Sequence, residues 1–94
     1  MSIFLVTWDL NKQKLNYAQA RQALIDHLSR YPHIYDQGLD SVWFLETSAS
    51  ADTLSADIRT KLDNNDTLIV TKLLPGQHQG WLSKETWNWI NPRL

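Results

Sequence analysis

The sequence predicts an α+β protein built around an antiparallel sheet. Segments rich in β-branched and aromatic residues, typical of strands, are interspersed with segments whose apolar residues recur at helical spacing. Their order along the chain is strand, helix, strand, strand, helix, strand, followed by a tryptophan-rich tail. With 94 residues the chain suits a single domain with one core, and a domain of this size gains from burying surface against a second molecule.

The first strand is predicted over residues 2–8, SIFLVTW. Both of its faces are apolar, with Leu5 on one and Val6 on the other, whereas a strand with one face in water alternates apolar with polar residues. We therefore expect this strand to be covered on both sides. Asp9 follows it directly and opens a turn that includes Asn11.

The first helix is predicted over residues 16–31, with Asn16 as its cap and apolar residues at helical spacing. Pro32 ends it, because proline cannot continue a helix. The turn sequence DQG then separates a weak strand, residues 33–35, from a stronger one, residues 39–46. We interpret these two strands as a hairpin.

The second helix is predicted over residues 50–63, with Ser50 as its cap. The sequence NND then turns the chain into a last strand, TLIVTKLL, at residues 67–74. Together the elements give the βαββαβ order of the ferredoxin-like arrangement, an antiparallel sheet with two helices on one face. The other face of that sheet stays open.

The C-terminal tail, residues 81–94, contains three of the five tryptophans and a short helix that Ser83 can cap and that stops before Pro92. So apolar a tail must pack on something. We expect it to fill the open sheet face of a second protomer, since this also covers the first strand. The predicted interface residues are Trp8, Trp81, Trp87, Trp89 and Ile90. Stacking of nucleic-acid bases on exposed indoles is the alternative.

Composition excludes several classes of protein. The net charge is −1, from nine basic and ten acidic residues, and no basic run or stripe offers an extended surface for phosphates. The absence of cysteine excludes disulfides, thiolate metal sites and cysteine nucleophiles. No apolar run reaches the roughly 20 residues of a membrane span, and the N-terminus lacks a basic leader. We expect a cytoplasmic protein with no membrane partner.

Asp9 is the main candidate for chemistry, because a carboxylate at the end of a central strand lies where turns make room for ligands. The simpler interpretation is that it caps the turn after the strand. Ser41 could contact a phosphate or a metal-bound water, or it could be a small residue at a crowded sheet position. Lys12 and Lys14 are candidate contacts for nucleic acid, or part of a solvated face.

Three segments of the chain, FLVTWDLN, DSVWFLET and TLIVTKL, resemble the family of CRISPR-associated protein 2. In that family the first strand ends in an aspartate, and a later strand carries a serine, a valine and an aromatic residue. These positions are here Asp9, Ser41, Val42 and Trp43. The chain is also similar to a branch of short bacterial proteins, sometimes labelled SinR-like, with the signatures T-x-D-L-N, N-Y and L-D-S-x-W.

The resemblance implies a homodimer formed through the sheets, with the two Asp9 carboxylates near the two-fold axis. Two nearby carboxylates repel, so they share a proton or hold a divalent cation, for which magnesium is suited. Magnesium can activate water against a phosphodiester of RNA or DNA. The implied function is therefore an endonuclease of bacterial defence, with Asp9 as metal ligand and catalytic residue.

Two other functions stay open, because a fold does not determine an activity. One is a non-catalytic dimeric adaptor that holds a protein partner such as an integrase. The other is a toxin-like or regulatory interaction module, similar in fold to virulence-associated protein D, that acts with a toxin-system component. Nuclease-type relatives place arginines soon after the aspartate, where this chain has Lys12 and Lys14.

Overall fold

The computed structural model describes all 94 residues and confirms the α+β class, with one antiparallel sheet of four strands and three α-helices. The elements are β1 (Ser2–Asp9), α1 (Tyr17–Leu28), β2 (His33–Tyr35), β3 (Val42–Thr47), α2 (Ala51–Arg59), β4 (Thr67–Lys72) and α3 (Lys84–Ile90), with a final 3-10 turn at Asn91–Arg93. The strands lie in the order β2-β3-β1-β4. None of the helices is both long and apolar enough to cross a membrane.

The central strand β1 pairs with β3 on one side and β4 on the other. Because side chains alternate across a strand, its two apolar faces point into two separate clusters. One face, represented by Val6, lies under α1 and α2, and the opposite face, represented by Ile3, lies under α3. The expectation that β1 is covered on both sides is confirmed.

The larger cluster lies between the sheet and the first two helices. Each helix places two fully buried aliphatic side chains four residues apart on the sheet, as the helical period requires. These four side chains are Leu24 and Leu28 of α1 and Leu54 and Ile58 of α2. They pack against aromatic and aliphatic side chains of the central strands, Phe4, Val6, Trp8, Trp43 and Leu45.

The smaller cluster lies on the opposite sheet face and is closed by α3 of the same chain. Ile90 is fully buried there, together with Ile3, Phe44 and Leu73. The cover that the sequence analysis assigned to a second protomer is therefore supplied within the chain.

The helices are shorter than the apolar spacing predicted, and their ends show why. The Ser29 hydroxyl donates to the carbonyl of Ile25 at 2.7 Å just after α1, and the Thr60 hydroxyl donates to the carbonyl of Asp57 at 2.7 Å just after α2. Such local side-chain bonds compete with continuation of a helix. The predicted cap of the first helix is not formed, because the Asn16 side chain makes no capping hydrogen bond.

The cap predicted for the second helix is confirmed. The Ser50 hydroxyl accepts the N–H of Thr53 at 3.1 Å. This bond satisfies one of the free amides in the first turn of α2.

Candidate functional site

Asp9 is exposed at the end of β1, where its backbone lies opposite Thr67 of β4. A shallow groove of about 270 Å³ runs beside it between these two strands. Its carboxylate accepts no hydrogen bond from the chain, so Asp9 does not cap the turn that follows. Asn11 and Asp66 hold that turn instead: the N–H of Asn11 donates to Asp66 Oδ1 at 2.8 Å, and Asn11 Oδ1 accepts the N–H of Gln13 at 3.0 Å.

Ser41 lies at the same end of the sheet as Asp9. The N–H of Trp8 donates to the carbonyl oxygen of Ser41 at 3.3 Å, which extends the pairing of β1 with the residue just before β3. Ser41 is half-buried. The fold therefore brings Asp9 and Ser41, two of the four positions named for the family resemblance, to one end of the central strands.

Of the two lysines predicted to contact nucleic acid, only Lys12 is exposed and unpaired. The ammonium of Lys14 lies 2.8 Å from Asp66 Oδ2 and 3.1 Å from Asp63 Oδ2. The hydrogen bond to Asp66 raises the pKa of Lys14. Two carboxylates thus already balance the charge of Lys14, which reduces its use as a contact for phosphate.

Asp66 is the buried centre of this turn, and sequence reasoning missed it. Its side chain is fully buried and accepts hydrogen bonds from Lys14 and from the N–H groups of Asn11 and Asp63. Burial alone would raise the pKa of this carboxyl, but these three hydrogen bonds outweigh it and lower the pKa of Asp66. Asp66 therefore stays ionised as a structural anion beside the end of β1.

No group of three or more histidine, aspartate or glutamate side chains in the chain is placed to hold a metal ion. Asp9 therefore belongs to no metal site formed by three or more such side chains of the chain.

The residues predicted for a dimer interface fall into two groups. Trp8 and Ile90 are 6% and 0% exposed and belong to the chain's own clusters, so their side chains are already covered within the chain. The prediction that Trp8 and Ile90 lie at a dimer interface is therefore corrected. It assumed that one face of the sheet is open, whereas α3 covers that face.

The three other tryptophans are more accessible, to different degrees. The ring of Trp87 stacks with that of His78, with centroids 6.1 Å apart, and the guanidinium of Arg93 lies 4.1 Å from the centre of the Trp89 ring. Both indoles are half-buried against the sheet cluster. Trp81, in contrast, is 97% exposed.

Asp36 holds α3 on the sheet, a role that sequence reasoning did not assign. Its Oδ1 accepts the N–H of Ser83 at 2.8 Å and the Thr86 hydroxyl at 2.9 Å, and its Oδ2 accepts the N–H of Gly38 at 3.0 Å. The bond from the Ser83 N–H, more than that from Gly38, lowers the pKa of Asp36 to about 2. The local signals, the DQG turn and the Ser83 cap, were both visible, but nothing in the sequence connected them.

A second polar cluster joins α1 to α2 away from the end of β1. Asp57 Oδ2 accepts Nη2 of Arg30 at 2.6 Å and the hydroxyl of Tyr31, and Nε2 of His27 lies 3.2 Å from Oδ1. Burial would raise the pKa of Asp57, but the Tyr31 hydroxyl and then the neighbouring His27 and Arg30 lower it. Burial, followed by the hydrogen bond to Asp57, raises the pKa of Tyr31. Every member has a partner in the cluster, so its role is structural.

No family model and no curated protein matches the chain.

Proposed function

We propose that the protein is a ferredoxin-like homodimer that cleaves nucleic acid with the help of a divalent cation, as its resemblance to the CRISPR-associated protein 2 family implies. The strand order β2-β3-β1-β4, with α1 and α2 on one sheet face, supports the ferredoxin-like assignment. The Trp-rich helix α3 is then an addition to that arrangement, on the other face.

The observation that carries this proposal is the state of the Asp9 carboxylate. It lies at the end of the central strand, exposed, beside a groove, and without the hydrogen bonds that a turn-capping aspartate makes. The side chains of Asn11 and Asp66 accept the hydrogen bonds that hold this turn. Because the Asp9 carboxylate makes no hydrogen bond within the chain, it is available to bind a cation.

In the proposed dimer, the Asp9 carboxylates of the two protomers lie near the two-fold axis. Two such groups in proximity favour a bound cation, since it relieves their mutual repulsion. Magnesium would supply an activated water for attack on a phosphodiester. Lys12, which is exposed and unpaired, is the residue of this turn that can contact a phosphate, and Ser41 can add a hydrogen bond from its hydroxyl.

The test is a cleavage assay on single- and double-stranded RNA and DNA, with magnesium or manganese and with a chelator. We expect cleavage that requires the cation and falls to background in Asp9→Asn, because the amide lacks the charge that holds a divalent ion. The matched control is Asp26→Asn, an exposed carboxylate on α1 that accepts a bond only from Gln22, at 2.8 Å. Cleavage that persists in Asp9→Asn, or in the chelator, would refute the proposal.

A non-catalytic dimeric adaptor is the second candidate, and the charges around β1 favour it. Lys14 is neutralised by Asp63 and Asp66, so this end of the sheet is acidic apart from Lys12, which disfavours a long phosphate backbone. The adaptor predicts no cleavage under any of these conditions, and a protein partner that is still retained by the Asp9→Asn variant in a pull-down.

A further inference from the structure

An apolar pocket of about 340 Å³ lies on the sheet face that α3 covers only in part. Nine of its twelve lining residues are hydrophobic, and the others are His78, Gln79 and Gly80. Its floor is formed by the sheet, including Leu5 and Val42, and α3 supplies a wall through Trp87. Its size and apolar character are those of a site that takes a buried group.

Trp81 lines the rim of this pocket and is almost entirely exposed to solvent. A tryptophan side chain can bury roughly 150–250 Å². A side chain of the largest type is thus exposed to solvent directly beside an apolar pocket. Because Trp81 adjoins the apolar lining of the pocket, the two form one continuous apolar patch, and such patches mark interaction sites.

We propose that Trp81 of one copy inserts into this pocket of a second copy, and the reverse, so that two identical indole-in-pocket contacts close the homodimer. A two-fold interface uses the same surface patch on both partners, so the inserted group and its receptor must lie on one patch of one chain. Trp81 and the pocket meet that condition. The inference rests on the homodimer of the proposed function and names the contact that holds it together.

The pocket also offers a polar partner that suits an indole. His78 Nδ1 lies 3.0 Å from the carbonyl oxygen of Leu74, and a carbonyl only accepts, so Nδ1 carries the hydrogen in the neutral ring. The other nitrogen, Nε2, is then an acceptor. Since the indole N–H is a donor only, His78 complements an incoming Trp81. A second copy would bury both the exposed indole and the apolar lining of the pocket, whereas a small ligand would leave Trp81 exposed.

The test is the molar mass of the protein by sedimentation equilibrium over a concentration series. We expect the wild type to dimerise and Trp81→Ala to raise the dissociation constant by at least about thirtyfold, the effect of one interface hot spot. Trp81→Phe keeps a ring but lacks the N–H, and its dissociation constant should lie between the two. Leu15→Ala, a fully exposed apolar residue elsewhere, is the matched control and should match the wild type.

Because Trp81 is exposed, its removal should leave the fold intact, and circular dichroism checks this. A second variant, Val42→Phe, fills the pocket from the sheet side and should weaken the dimer while Trp81 is retained. A wild type that stays monomeric at every concentration, or a dimer that Trp81→Ala leaves unchanged, overturns the inference. A wild type that binds free indole in a calorimetric titration but stays monomeric even at high concentration assigns the pocket to a small aromatic ligand and likewise overturns the inference.

The same variants separate this inference from the proposed function. We expect Asp9→Asn to dimerise like the wild type, so a dimer that depends on Trp81 but shows no cleavage supports the interface and refutes the nuclease. Cleavage together with a dimer that does not need Trp81 supports the nuclease and refutes the interface.

Discussion

Replacement of Ile90 by alanine tests whether α3 covers its own sheet. Ile90 is fully buried among Ile3, Phe44 and Leu73, although it lies four residues from the C-terminus. Truncation of a buried isoleucine to alanine costs about 2–5 kcal/mol. Such a loss is large beside the roughly 5–15 kcal/mol that stabilises a typical domain. For a chain of this length each kcal/mol lowers the melting temperature by about 4–8 °C.

The assay is urea unfolding followed by far-ultraviolet circular dichroism, at protein concentrations that differ widely. Ile90→Ala and its control are both measured in the Trp81→Ala background, so that the proposed dimer does not contribute to stability. If the cover comes from the same chain, the loss of stability caused by Ile90→Ala is then independent of concentration, whereas cover by a second protomer would make it concentration-dependent. The control is Leu94→Ala, a more exposed residue of the same tail, which should change stability by less than about 0.5 kcal/mol. A cost below about 1 kcal/mol for Ile90→Ala would refute the docking of α3 inside the protomer.

Two further predictions concern the carboxylates that the fold uses structurally. Because the bond from Ser83 lowers the pKa of Asp36 from 3.8 to about 2, its stabilising effect is complete above about pH 4 and is lost as the pH falls towards 2. Stability measured against pH should show this loss in the wild type, and Asp36→Asn should be less stable at neutral pH and lack the dependence on this group; identical profiles would contradict it. Lys14→Ala should lower the urea midpoint by stranding Asp66, whereas Lys12→Ala should leave the midpoint unchanged and, where nucleic acid binds, reduce the salt slope by about one. Equal midpoints for the two lysine variants would argue against the ion pair.

Much of the fold could be predicted from local patterns. The two apolar faces of β1 required cover on both sides, and the structure supplies it. The cap at Ser50 followed from residue type and position. These signals are local, because strand alternation and capping depend on neighbours a few residues apart.

The sequence could not predict in the same way that α3 of the same chain covers the second face of β1. An apolar face shows that something must lie on it, but not which chain provides the partner. One contact that holds α3 on its own sheet joins Asp36 to Ser83, 47 residues apart in sequence, and the local sequence around an aspartate does not predict so distant a donor.

The structure shows where the candidate site residues lie, and the sequence predicted this only in part. Asp9 and Ser41 both lie at one end of the central strands, as expected for residues at strand ends. The pairing of Lys14 with Asp66 was hidden, because it spans 52 residues and leaves no periodic trace. Asp66, rather than Asp9, accepts the hydrogen bond that holds the turn after β1, although the simpler interpretation of the sequence gave this role to Asp9.

The position of β1 at the centre of the sheet also affects how the protein folds. β1 pairs with β3 and with β4, which lies far along the sequence, so that Phe4 lies opposite Lys72. The face of β1 that carries Ile3 depends on a still more distant element, because it is covered by α3, which ends at Ile90. β1 is therefore fully covered only when contacts of large sequence separation have formed, and such contacts slow folding.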